Sequence, residues 1–159
     1  MQPNIDRAKE LLRTVRHATM ATVNEDGSPH NTPYRFMIDD SLENVYWSSH
    51  PESQHSKNIA QTGQVFIVLF EANKGGGLYI DSNDAHELSG NELNIALQVH
   101  NNYRVTEGKT LLGIDYYTSG PQRMYGASVN QLWVNYSEKN DQGLVERDCR
   151  KPITREELL

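Results

Sequence analysis

One cysteine, Cys149, is all that the 159 residues contain. A lone thiol excludes an intrachain disulfide and a thiolate metal cluster, and it points to a reducing cytoplasm as the setting. Placed near the end of the chain, it reads as an ordinary thiol and not as a nucleophile. Long apolar runs are missing too. None approaches the roughly 18 residues that a membrane span needs, and the opening MQPNIDRAKELLRTVRH is amphipathic, unlike a basic-then-apolar leader. Basic residues never run beyond a pair, and the net charge is −6 with a pI near 5.5. That balance excludes a generic nucleic-acid binder, which needs clustered Lys and Arg against phosphate.

Apolar residues are modest at 36%, yet with 23% charged residues the composition is not that of a disordered chain. The length suits one domain spanning 1–159, with a polar C-terminal segment from about 137. Its small core is expected to be helped by a partner chain or a ligand. Several chemical signatures are absent. There is no Gly-x-Ser-x-Gly elbow. Gly75-Gly76-Gly77 lacks the spacing of a dinucleotide fingerprint and reads as a flexible hairpin turn. His17, His30, His50, His86 and His100 show no helical pairing of the kind that binds zinc, so no metal is expected.

What is present alternates between strands and helices without strict strand-helix-strand order. Asn4 or Asp6 can cap a first helix, whose Ile5, Ala8, Leu11, Leu12 and Val15 form one apolar stripe. Thr19 to Asn24 and His30 to Ile38 read as strands of a hairpin turning at Glu25-Asp26-Gly27-Ser28. Val45 to Ser49 is a short strand. Pro51 to Thr62 reads as a helix ended by Gly63. Val65 to Phe70 is a buried strand, Leu78 to Leu88 a long one, and Asn91 to about Asn102 a helix. Arg123 to Tyr136 reads as the last strand, with a bulge or bend near Gly126. The fold class is therefore mainly β: an antiparallel barrel decorated by helices.

The most informative stretch runs from Tyr46 to Ile59, a strand feeding a helix with almost no apolar residues. Ser53, His55, Ser56 and Lys57 near a helix N-terminus suit an anion, because free amides and the positive dipole end add to a lysine charge. A solvated helix whose serines serve only as caps is the other reading. Arg35 lies in the second strand, either as a surface cation or as a guanidinium facing a ligand cleft.

Thr19 to His30, then Pro33-Tyr34-Arg35-Phe36, Tyr46-Trp47-Ser48-Ser49, Ser53 to Ile59 and Val65 to Phe70 together resemble the FMN-binding split-barrel family of pyridoxamine 5'-phosphate oxidase. The resemblance covers roughly residues 8–90 well and the rest loosely. It implies a Greek-key split barrel, FMN as cofactor, and a homodimer with the cofactor at the subunit interface. It further implies that the strand bearing Arg35, Phe36 and Met37 runs along the flavin ring and that Trp47 and Ser48 touch the cofactor. Ser53, His55, Ser56 and Lys57 are then expected at the phosphate, with Ser56 standing where the oxidases commonly have arginine and His55 as a substitute. Trp133 resembles a tryptophan presented to FMN across the dimer, although a core tryptophan fits the residue equally well. Arg147 or Arg150 would match a late arginine. Tyr103 and Arg104 only echo the substrate-phosphate signature, and the C-terminal motif of the oxidases is missing. The implied activity is a flavin-dependent oxidoreductase using NAD(P)H or a small-molecule donor. A binding module without turnover, or a relative holding haem or a deazaflavin, are the other readings.

Overall fold

The computed structural model of the chain describes residues 4–159. The first helix, α1 (Ile5–Thr14), begins where Asn4 Oδ1 accepts the Arg7 amide at 3.2 Å, as a capping residue should. Its Ala8 and Leu11 are buried. Arg7 fastens it to the sheet: Nη1 reaches Glu10 and Glu71, each at 2.8 Å, and Nε donates to the Gly75 carbonyl.

The strands are β1 (His17–Val23), β2 (Pro29–Arg35), β3 (Met37–Ile38), β4 (Asn44–Ser49), β5 (Val65–Glu71), β6 (Lys74–Ser82), β7 (His86–Glu87), β8 (Arg123–Ser128), β9 (Gln131–Lys139) and β10 (Val145–Ile153). The other helices are α2 (Gln54–Thr62), α3 (Gly90–Thr106), α4 (Asp115–Thr118) and α5 (Arg155–Leu158). All pairings are antiparallel. They form a six-stranded sheet in the order β10-β9-β6-β5-β1-β2 and a four-stranded sheet in the order β3-β4-β8-β7. The fold is mainly β, and among the described residues its two sheets keep separate hydrogen-bond ladders, as in a split barrel.

Three segments expected as single strands instead cross from one sheet to the other. His30 to Ile38 breaks at Phe36, whose amide donates to the Arg16 carbonyl between β2 and β3. Leu78 to Leu88 breaks after Ser82, where Asp84 accepts from Ser82 Oγ at 2.9 Å and from the Ser128 amide at 2.8 Å. Arg123 to Tyr136 breaks at Val129–Asn130, whose amides donate to the Glu43 and Asp81 carbonyls. Of the bulge or bend expected near Gly126, no bulge occurs there, since β4 and β8 keep register from Asn44↔Ser128 to Ser49↔Arg123, and the chain bends at Val129–Asn130 instead.

Two further expectations are corrected. The triple glycine lies in β6, and the hairpin turn precedes it at Ala72–Asn73. Gly76 has φ +86°, with Arg7 Cγ 3.4 Å from where its Cβ would sit. The polar segment from about 137 also has structure, since β9 continues to Lys139 and β10 pairs along it. As an edge strand, β10 is exposed along most of its length, so no alternation of apolar residues announces it.

Phe36, Trp47, Ile67, Leu69, Leu78 and Ile80 fill the main core beneath α1. A second core joins Met37, Tyr46, Leu93, Ala96, Tyr117 and Met124 between the four-stranded sheet and α3. Fully buried Leu11 truncated to Ala is expected to cost about 2–5 kcal/mol in urea unfolding, through lost contacts and an unfilled cavity. Phe70→Ala, at a side chain 47% exposed on the outer sheet face, should cost less than about 1 kcal/mol.

Candidate functional site

The helix α2 is polar, so something other than an apolar stripe must hold it. Ile59 supplies one buried anchor, and Asn58, 1% exposed, supplies the other. The Asn58 amide donates to Thr22 Oγ1 and Asn24 Oδ1, both at 2.9 Å, and its oxygen accepts from Gln54 at 2.8 Å. These bonds pin α2 to the end of β1. Its C-terminal stop is Gly63, whose φ is +64° and where a Cβ would sit 2.8 Å from the Asn83 carbonyl oxygen, so a side chain is excluded.

With Asn58 fixed, the start of α2 meets the end of β4. Ser49 Oγ lies 2.6 Å from His55 Nε2 and 3.0 Å from Ser53 Oγ. Ser53 donates to Ser56 at 2.9 Å and lies 3.2 Å from His55 Nε2. Three hydroxyls and an imidazole therefore converge. Because the Ser53 hydroxyl is committed to this cluster, it makes no capping bond, and the first amides of α2 have no side-chain cap. His30 of β2 stacks against His55 with ring centroids 6.5 Å apart. Burial, and then the neighbouring His30, push the His55 pKa down, so the free imidazole is neutral at pH 7. Lys57 is exposed and pairs with Glu52 at 3.2 Å. Ser56 and Lys57 also border a cleft of about 450 Å³ beside Asp84, His86 and Tyr125.

Of the expected site residues, Ser53, His55 and Ser56 are thus brought together, while Lys57 follows Ser56 on the same helix with its ammonium turned to Glu52. Ser49 joins them; its place after Ser48 in the strand was the only sequence signal for it. The side chains of Phe36, Met37 and Trp47 are instead fully buried, and Trp47 stacks on Tyr125 with centroids 6.0 Å apart. They shape the cores and present no surface to a ligand. Arg35 pairs with Glu107, which also takes Lys109 at 2.7 Å, so the guanidinium is engaged within the chain. Those two cations hold the Glu107 carboxyl down at about 2. Tyr103 bonds the Ile38 backbone, and Arg104 donates to the Thr110 carbonyl, so both serve local structure.

Ser48 lies on the other side of β4, beside the Tyr117 hydroxyl. Tyr117 is bonded to His100 Nδ1 at 2.6 Å, and both side chains are buried. Trp133 is elsewhere, half-buried on the outer face of the six-stranded sheet against Phe66. Arg150 sits over the Phe66 and Tyr79 rings at 5.3 and 5.2 Å.

Fold and site together define a split-barrel protein with a cluster of hydroxyls and an imidazole where one strand feeds a polar helix. The family model for pyridoxamine 5'-phosphate oxidase matches residues 5–111, and the chain belongs to that family. No curated protein matches it. Among solved structures it is similar to a Clostridium acetobutylicum protein related to general stress protein 26, of the pyridoxinephosphate oxidase family. That match has a TM-score of 0.63 and 14% identity over 94% of each chain. A haem-binding protein from Mycobacterium smegmatis matches with a TM-score of 0.66 and 14% identity over 99% of this chain and 60% of that one. A haem storage protein from Vibrio cholerae matches with a TM-score of 0.64 and 17% identity over 81% of this chain and 92% of that one. At these identities the likeness is one of fold.

The buried His100 makes the fold sensitive to acid. Burial first, then the nearby Arg104 and Arg35, lower its pKa from 6.5 to about 4. Between those values the unfolded chain takes up a proton that the folded chain refuses, so stability falls as pH drops through that window. His100→Gln, which cannot titrate, should remove about 2–3 kcal/mol of the loss between pH 7 and pH 4. Parallel urea titrations of the two proteins across that range check this, and equal pH slopes would rule it out.

Proposed function

We propose that this chain binds FMN through the cluster at the start of α2 and works as a flavin-dependent oxidoreductase on a small molecule, with NAD(P)H or the substrate itself as donor. The observation that carries the reading is the convergence of Ser49, Ser53, Ser56 and His55 on an uncapped helix start, with Lys57 in the same first turns of α2. This donor set fits a phosphate monoester: hydroxyls and amides donate to its oxygens, and Lys57 offers a point charge. Bound FMN supplies hydride transfer, so no side-chain nucleophile is needed. The chain's own tasks are to hold the phosphate, orient the ring and keep water away from it. Trp133, Phe66 and Tyr79 on the outer sheet face support a homodimer in which a second chain completes the ring site. The single cysteine supports a cytoplasmic setting, and no helix among the described residues is long and apolar enough to cross a membrane.

Haem is the second reading. It is favoured by the likeness to the two haem proteins and by the adjacent imidazoles of His30 and His55. Against it, His55 Nε2 is already engaged by Ser49.

The test is gel filtration of the protein after incubation with FMN or, separately, with haemin, followed by anaerobic NADPH. Retained flavin absorbance that bleaches is expected. Retention without bleaching by any nicotinamide would leave either a binding module or an enzyme with another donor, and haemin retention alone would replace FMN with haem. Lys57→Ala should weaken FMN binding by about 1–3 kcal/mol through loss of a charge-assisted contact. Unchanged affinity in calorimetry would remove Lys57 from the phosphate site.

A further inference from the structure

The phosphate site is short of permanent positive charge. Among the described residues the fixed cation assigned to it is Lys57, and that ammonium already pairs with Glu52. A phosphate monoester above pH 7 is close to a dianion, because its second ionisation lies near pH 6. The remaining donors around it are neutral hydroxyls and amides, except for one group that can change its charge. His55 Nε2 faces the Ser49 and Ser53 oxygens at 2.6 and 3.2 Å, and His30 lies stacked beside it.

We propose that His55, with His30 stacked against it, supplies the second positive charge of the phosphate site by taking up a proton as the ester binds, so that FMN affinity falls as pH rises above neutrality. The proposal rests on the FMN reading of the site. Without an anion, burial and the charge of His30 both disfavour the imidazolium. An anion held by the neighbouring hydroxyls reverses that balance, since an opposite charge within about 4–6 Å favours the charged form.

The other groups around α2 do not substitute for it. Near its packing on β1, the partners of Asn58 are the neutral Thr22 and Asn24. From β2 comes His30 itself. Asp84, His86 and Glu87, together with Tyr125 of β8, border the cleft beside Lys57, where two carboxylates and a cation-forming imidazole oppose each other. In the segment before the helix, His50 Nδ1 accepts the Glu52 amide and the Glu52 carboxylate holds Lys57. Only His55 is directed into the hydroxyl cluster itself.

The experiment is calorimetric titration of FMN into the full chain at pH 7.5 in two buffers of different ionisation enthalpy, repeated from pH 6.5 to 8.5. Riboflavin, which lacks the phosphate, is the control. FMN is expected to bind with uptake of roughly half to one proton, and Kd should rise about three- to tenfold per pH unit above 7. Riboflavin should bind without uptake. His55→Gln should abolish the uptake and flatten the pH dependence. His30→Gln should ease protonation of His55 and move the dependence to higher pH. FMN binding with no proton uptake in the wild-type chain would overturn the proposal while leaving the cofactor reading standing. Uptake that persists in His55→Gln would overturn the role of His55. No FMN binding at any pH would remove both readings together.

Discussion

The candidate site depends on Asn58. A helix with the composition of α2 has little apolar surface to bury, so it cannot be held against a barrel by the hydrophobic effect alone. Asn58 solves this by filling a buried position with a group whose donors and acceptor are all used, two bonds to the β1 end and one from Gln54. A buried amide so satisfied fixes direction as well as position, which apolar contact does not. Ser53, Ser56 and Lys57 are placed by that geometry, and Ser49 meets them because β4 leads directly into the helix.

The sheet crossings have a similar effect on a larger scale. At Phe36, at Ser82–Ala85 and at Val129–Asn130 the chain leaves one sheet for the other, and each corner is closed by hydrogen bonds from backbone or short polar side chains. Asp84 does much of this at one corner. Burial raises its pKa, but bonds from the Ser128 side chain and amide and from Ser82 outweigh that and keep the carboxylate ionised. Through Ala85, whose amide donates to the Gly63 carbonyl, the same corner meets the C-terminal end of α2. Polar contacts therefore fix the site helix at Asn58 and at its C-terminal end, with Ile59 as its anchor in the core.

This explains what could be read in the sequence and what could not. The antiparallel class, α1 with its Asn4 cap, the stop of α2 at Gly63 and the grouping of Ser53, His55, Ser56 and Lys57 all follow from local spacing and cap chemistry. The corners did not show, because periodicity describes one face of one element, and at Phe36 and Met37 both faces are buried. Met37 and Trp47 were placed at a ligand by the family resemblance alone, and nothing in their local sequence separates a residue that lines a cleft from one that fills a core. Strand β10 escaped notice because an exposed edge strand can be polar on both faces. Asn58 stood within the motif, but nothing local distinguishes an anchoring amide from a solvated one.

The register of the six-stranded sheet sets a constraint on how any cofactor is held. Thr22 pairs with His30, so both face the side on which α2 lies, whereas Ala21 pairs with Phe66, which stacks on Trp133. Successive residues of a strand point to opposite faces, so Trp133 and the α2 cluster lie on opposite faces of this sheet. They are also four strands apart, from β9 to β2, or about 19 Å along the sheet at ordinary strand spacing. One small ligand cannot span that distance through the core of a single chain. If Trp133 serves the same FMN as Lys57, it must do so from a second copy, and the dimer and the ring site are then one claim. If the protein acts as a monomer, Trp133 has no part in cofactor binding, and the ring must be held by the surface around α2 alone.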